Sequence, residues 1–290
     1  MPYTLAHPAA AVPLRSIPWI GSRWVLSALV IGSMVPDLGY SVRSLALTRA
    51  GHSLPGILYL CVPLGLVALW ILHVLLKRPM VLLLPDRHRA ALWPLCGTFR
   101  FLPFSRFGWI VASLAAGAAT HLAWDACTQR QGFVVSLFET MSRPIFVVGR
   151  HEVVVYDVLR HTCSAVGVLL LVYWYAAWLP DRRARVHDVH RSATEPPRGL
   201  VVSLLLVLPL VVGVFVGYWT TMGKFGLDRL EVFASRVALH SLGAFVMLAC
   251  AYSIVYRLVE IAASRADSAH KPNATVYAQA PSAPLGERAG

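Results

Sequence analysis

GLVVSLLLVLPLVVGVFVGYWT, residues 199–220, runs for 22 residues without one Asp, Glu, Lys or Arg. A helix needs about 20 apolar residues to cross some 30 Å of hydrocarbon, so this stretch reads as a membrane span. Four further windows of similar character lie at roughly 57–76, 107–127, 155–179 and 236–256. A shorter apolar segment, 24–36, runs into Asp37 through Pro36 and reads either as a tilted span or as a half-helix buried against others. The expected fold is therefore all-α, a polytopic helical membrane bundle of about six helices over residues 1–260, the first a span or a re-entrant element. Residues 261–290, polar and without apolar periodicity, are expected to form a disordered tail.

The composition agrees. Of 290 residues 57% are hydrophobic and 14% charged, against roughly 25% charged in soluble chains, which excludes a disordered chain and argues against a water-soluble globule. Lys and Arg outnumber Asp and Glu by 26 to 14, but the surplus lies between apolar blocks, without a basic groove interleaved with aromatic residues. It therefore points to topology and contact with anionic membrane lipid, not to a nucleic-acid partner. Residues 77–106 carry six basic residues against Asp86 alone, and 180–198 carry five arginines. The positive-inside rule puts both stretches in the cytoplasm, and the connections 37–55, 128–154 and 222–235 then face outward. The expected location is a cell membrane, crossed several times.

The five cysteines, Cys61, Cys96, Cys127, Cys163 and Cys250, are scattered, odd in number and mostly in apolar context, so they read as packing residues. The opening MPYTLAHPAAAVPLRS has neither the basic start, the uninterrupted apolar run nor the cleavage site of a secretory signal, and is expected to be retained. No P-loop, dinucleotide fingerprint or nucleophile elbow occurs, and the apolar blocks are too unlike one another for an inverted-repeat transporter.

The informative residues are polar ones inside apolar context. An Asp at a helix centre costs about 2.5–3.5 kcal/mol on insertion scales, so it needs a partner, water or a function. In ATHLAWDACT, residues 119–128, Asp125 follows His121 by four, which places both on one helical face. That spacing lets an imidazole and a carboxylate converge on one divalent cation, and it equally suits a plain hydrogen bond within a bundle. On the charge-derived orientation Asp37, His52 and His161 share the outer level with this pair. Three histidines and two aspartates at one depth could furnish a site of four to six ligands with room for water and substrate. Each also has an ordinary reading: Asp37 as a turn residue, His52 as a loop histidine, His161 as a hydrogen-bond partner of a neighbouring helix. His73 lies at the cytoplasmic end of its span and is set aside. His7 reaches the outer level only if residues 5–35 form a re-entrant pair of short helices broken at Pro18 and Gly21.

Several separated motifs carry a resemblance. PYTLAHPAAAVPL at 2–14, LSALVIGSMVPD at 26–37, HSLPG at 52–56, PLGLVALWILHVLLKRP at 63–79 and HLAWDACT at 121–128 occur in that order. Together they resemble the bacterial integral-membrane family catalogued as domain of unknown function 4184, over most of residues 1–175 and more loosely to about 260. The ordered pattern is also similar to that of inner-membrane-associated metal-dependent hydrolases and, more distantly, to the ligand pattern of zinc-dependent phospholipase C and single-strand nucleases. The resemblance implies a helical fold in which His and Asp hold metal ions that activate water against phosphodiesters. Carried over, it makes His7, Asp37, His52, His121 and Asp125 metal ligands, with His161 a further one. The chain departs from the expected pattern where Gln129 follows Thr128 in place of a histidine, and where Arg160 precedes His161 in place of a glutamine. The first departure implies the loss of a second metal or of activity.

Two functions of different class follow. One is a membrane-embedded metal-dependent hydrolase using a divalent metal, zinc by expectation, on a phosphoester or a lipid-linked ester, with Asp37, His121 and Asp125 as its catalytic centre. The other is a non-enzymatic membrane scaffold, transporter or partner protein whose His/Asp cluster is structural. Metal content separates them.

Overall fold

The computed structural model describes residues 4–42, 44–97, 99–148, 151–181, 197–223 and 227–270. These are helical apart from one β-hairpin. Short helices, among them α1 (Leu26–Gly32) and α2 (Leu45–Gly51), precede the long helices α3 (Leu54–Leu83), α4 (Phe104–Thr128), α5 (Val155–Asp181), α6 (Arg198–Thr220) and α7 (Leu227–His270). The last five contain stretches long and apolar enough to cross a membrane. Leu206, Val207, Leu210, Val211 and Phe215 of α6 are exposed, as an apolar helix side facing lipid requires.

Segment 24–36 holds no helix long enough to cross a membrane: its regular part, α1, has seven residues, roughly 10 Å of helical rise. The chain doubles back on itself here. From Thr4 it passes through the short helix Pro8–Ala11 and the tight turn Val12–Ser16, and bends around Trp19, which is 97% exposed with φ 70°. It returns through α1 to Asp37. The lower limit is marked by the Arg23 guanidinium over the Trp109 ring (5.6 Å) and by the Val25 amide donating to Ser113 Oγ (3.0 Å). The upper limit is marked by His121, which reaches the Ser33 carbonyl. Trp109 and His121 lie about 18 Å apart along α4 by helical rise. Pro13, Pro18 and Pro36 fall at the breaks, where the missing N–H and the ring favour interruption of the helix.

Close backbone packing fixes α1 on α4. A Cβ at Gly32 would collide with the Leu114 carbonyl, and one at Gly117 with the Leu29 carbonyl, so these two glycines let the helices touch. Ala28, Val62, Leu69, Ile110 and Leu114 form the core between α1, α3 and α4, and Val35, Ile57, Cys61 and Ala118 continue it toward the end that carries Asp37. At the opposite, basic end Leu83, Leu205 and Ala249 join α6 and α7 to α3. There Arg78 pairs with Glu260 at 2.9 Å and Arg198 with Asp86 at 3.2 Å.

Two features differ from the sequence reading. The outward connection 128–154 contains an antiparallel pair, β1 (Pro144–Val148) and β2 (His151–Val154), because the apolar residues of IFVV and EVV favour extended backbone. Helix α7 continues to His270, ten residues past the boundary drawn at 260. Residues 271–290, and 182–196 of the second arginine-rich stretch, lie outside the described residues.

Candidate metal centre

Four short structural devices bring distant side chains to one point. The turn Val35–Asp37 ends the doubled-back segment and buries Asp37. The end of α2 presents His52 immediately before Ser53, whose hydroxyl caps the next helix by accepting from the Gly56 amide at 3.1 Å. The last two turns of α4 present His121 and Asp125, both buried. One donor atom from each of Asp37, His52, His121 and Asp125 lies within 4.8 Å of the other three.

The approaches between these atoms are regular. His52 Nε2 lies 3.5 Å from Asp37 Oδ1 and 3.3 Å from Asp125 Oδ2. His121 Nε2 lies 3.5 Å from the same Asp37 oxygen and 3.4 Å from the same Asp125 oxygen. All four atoms are buried without a hydrogen-bond partner. The other nitrogen of each imidazole is engaged: His52 Nδ1 donates to the Thr48 carbonyl and His121 Nδ1 to the Ser33 carbonyl, both at 2.8 Å. Since a carbonyl only accepts, Nδ1 carries the hydrogen, and each neutral ring turns a bare Nε2 lone pair on the carboxylate oxygens. Four acceptors facing one another require a positive charge between them. An ion with ligand bonds of about 2.0–2.1 Å separates neighbouring ligand atoms by about 3 Å or slightly more, close to these four His–Asp approaches, and the other two separations lie within 4.8 Å. Two imidazoles and two carboxylates suit zinc and neighbouring first-row divalent metals, and the backbone carbonyls behind the rings are the usual outer support of such ligands.

The remaining carboxylate oxygens are held from outside. Thr4 Oγ1 donates to Asp37 Oδ2 at 2.6 Å, and Gln129 Nε2 donates to Asp125 Oδ1 at 3.2 Å. His7 Nε2 approaches that same Asp125 oxygen at 3.3 Å, and the His7 ring stacks on His121 with centroids 4.0 Å apart. Burial alone would raise the Asp37 pKa, yet His52, His121 and the Thr4 hydroxyl outweigh it and hold the carboxyl below its ordinary value. Burial would likewise depress His52, but Asp125, Asp37 and the Thr48 carbonyl raise it to about 10. In the absence of a metal, a proton on His52 thus supplies the positive charge the carboxylates demand.

Of the six residues expected to bind metal, Asp37, His52, His121 and Asp125 converge, and the first, third and fourth are those expected to form the catalytic centre. His7 belongs to the site through the outer oxygen of Asp125 and is not one of the four donors. His161 is a correction. It lies exposed on α5, outside the four-donor group, because its position two turns into that helix sets its height but not the face it occupies. Thr4 and Gln129 were not anticipated as supports. Gln129 follows Asp125 by four residues, a spacing that shares a helical face and could have identified it.

Two cavities flank the donors. One of about 720 Å³ is reached by His52, Asp125 and Gln129 and is also lined by Arg49, Arg130 and Phe133. The other, about 560 Å³, is reached by Asp37 and is lined also by Thr4, Leu45, Val232, Arg236 and Leu239. Tyr40 and Thr48 border both.

No curated protein and no solved structure matches the chain. A family model does match, over residues 1–261, and the chain belongs to that family, described as domain of unknown function 4184.

Proposed function

We propose that this protein is a membrane-embedded hydrolase that binds one divalent metal, zinc by preference, through Asp37, His52, His121 and Asp125, and cleaves a phosphoester or lipid-linked ester with water. The observation that carries this reading is the set of four buried, mutually facing acceptor atoms, unpartnered although their own side chains are anchored from behind. In metal-free protein a proton on His52 answers the carboxylates but leaves His121 Nε2 without a donor, and an unsatisfied buried polar group costs about 1–3 kcal/mol. A divalent ion held by these four groups would need a fifth position, on the side of the cavity at His52 and Asp125, to take water, and there it would lower the pKa of that water and polarise an ester oxygen. The chain's own groups do the rest. His7 and Gln129 fix the outer oxygen of Asp125, Thr4 fixes that of Asp37, and the cavity against His52 and Asp125 admits substrate from one side.

The test is hydrolysis of soluble chromogenic esters by the detergent-purified chain. Zinc-loaded protein is expected to release product, with activity lost on chelation and restored by zinc. His121→Ala and Asp125→Asn should each lower turnover at least about a hundredfold and remain inserted in the membrane. Bound metal absent from the wild type, with both variants merely less stable, would instead support the structural cluster.

A further inference from the structure

The 720 Å³ cavity carries two positive charges in addition to the metal donors. Arg49 stands three residues before His52, within the last turn of α2, and Arg130 five residues after Asp125, just beyond the end of α4. Each is therefore delivered to the cavity by the backbone that delivers a metal donor. Both side chains are exposed, and among the described residues neither guanidinium has a hydrogen bond or an ion pair. At the opposite end of the molecule Arg78, Arg198 and Arg257 are each paired with an acid, whereas Arg87 and Arg100, among the described residues, are not. The carboxylate that lines the same cavity, Asp125, has its outer oxygen approached by His7 and Gln129 and its inner oxygen turned toward the other metal donors. Two unneutralised guanidinium groups beside a metal centre have no use for a neutral carboxyl ester. They match a phosphate group, whose oxygens accept paired N–H bonds from the planar fork of arginine.

Resting on the hydrolase reading above, we propose that the substrate is a phosphate ester and that Arg49 and Arg130 hold its phosphate at the mouth of the metal centre, determining specificity. Hydrolysis forms one P–O bond from water and breaks the P–O bond to the esterified alcohol, which leaves with one of the water protons, the other remaining with phosphate or solvent. The esterified group has a place to go, since the second cavity is bordered by the same Tyr40 and Thr48 and offers Leu45, Val232 and Leu239. The same phosphate chemistry is offered by a soluble phosphate and by a lipid headgroup.

The test is calorimetric titration of the zinc-loaded, full-length protein in detergent with inorganic phosphate, and in parallel with mixed micelles containing phosphatidic acid or, as the phosphate-free control, diacylglycerol. Arg49→Gln and Arg130→Gln should each weaken phosphate binding about tenfold, and the double variant about a hundredfold, with zinc content unchanged. Binding of inorganic phosphate would identify a soluble ligand chemistry, and binding of phosphatidic acid alone a lipid headgroup. Either supports the proposal when it depends on the two arginines. Wild-type protein that binds zinc but neither phosphate source, or a double variant that binds as tightly as wild type, overturns it and leaves the metal centre standing. Failure to bind zinc overturns the hydrolase reading, and phosphate titration of the metal-free protein then still scores the arginines.

Discussion

His52 carries the most charge-sensitive chemistry in the site. Its pKa, raised to about 10 by Asp125, Asp37 and the Thr48 carbonyl, stands above the value of about 6.5 expected in an unfolded chain. In metal-free protein this group therefore contributes stability that is fully present below about pH 6.5 and is lost as pH rises through about 10. Thermal unfolding of the chelated protein in detergent should show a midpoint that falls over that interval, and His52→Gln should flatten the fall. Metal competes with the same proton, so zinc affinity should increase with pH below 10 and uptake should release protons to a pH indicator. The outer supports are separable from the ligands. Thr4→Val removes the hydroxyl on Asp37 Oδ2 and is expected to weaken zinc about tenfold in competition with a chromophoric chelator. Unchanged affinity would show that the Thr4 contact does not orient the ligand. At this scale the sequence was readable where spacing is local, as for His121 and Asp125 on one helix face. Thr4 and the Ser33 and Thr48 carbonyls were not readable, because their roles arise from backbone brought together across the fold.

Among the elements, the contact between α1 and α4 sets the site's dimensions. The Ser33 carbonyl that orients His121 sits one residue beyond Gly32, and Gly32 and Gly117 permit the approach. Gly117→Val should force the two helices apart and destabilise the protein by about 1–3 kcal/mol, read as a lowered unfolding midpoint, with zinc affinity falling in parallel. Unaltered metal binding in that variant would mean that α1 does not position the ring. Hydropathy located the long helices because a span of some 20 apolar residues is a property of composition alone. It left segment 24–36 open between a span and a half-helix, since 12 or so apolar residues satisfy either, and what favoured re-entry was the need to bring His7 to the level of the other candidate ligands. His161 shows the complementary limit: depth follows from residue number within a helix, whereas the face requires knowing which neighbour packs there.

For the molecule as a whole, the paired arginines lie at the α3–α6–α7 end and the His/Asp centre at the other. With the basic end in the cytoplasm, a cysteine introduced as Thr140→Cys should react with an impermeant maleimide in intact cells, and one introduced as Ala90→Cys only after permeabilisation. The reverse pattern would place the metal centre on the cytoplasmic face and redirect the search for its substrate. The central claim concerns the four donor atoms, and anomalous X-ray diffraction at the zinc edge, from crystals of the zinc-loaded protein, addresses it most directly. The account predicts one strong peak within about 2.0–2.2 Å of Asp37 Oδ1, His52 Nε2, His121 Nε2 and Asp125 Oδ2. Density for zinc at another place, or none at these atoms in protein grown with saturating zinc, would contradict it.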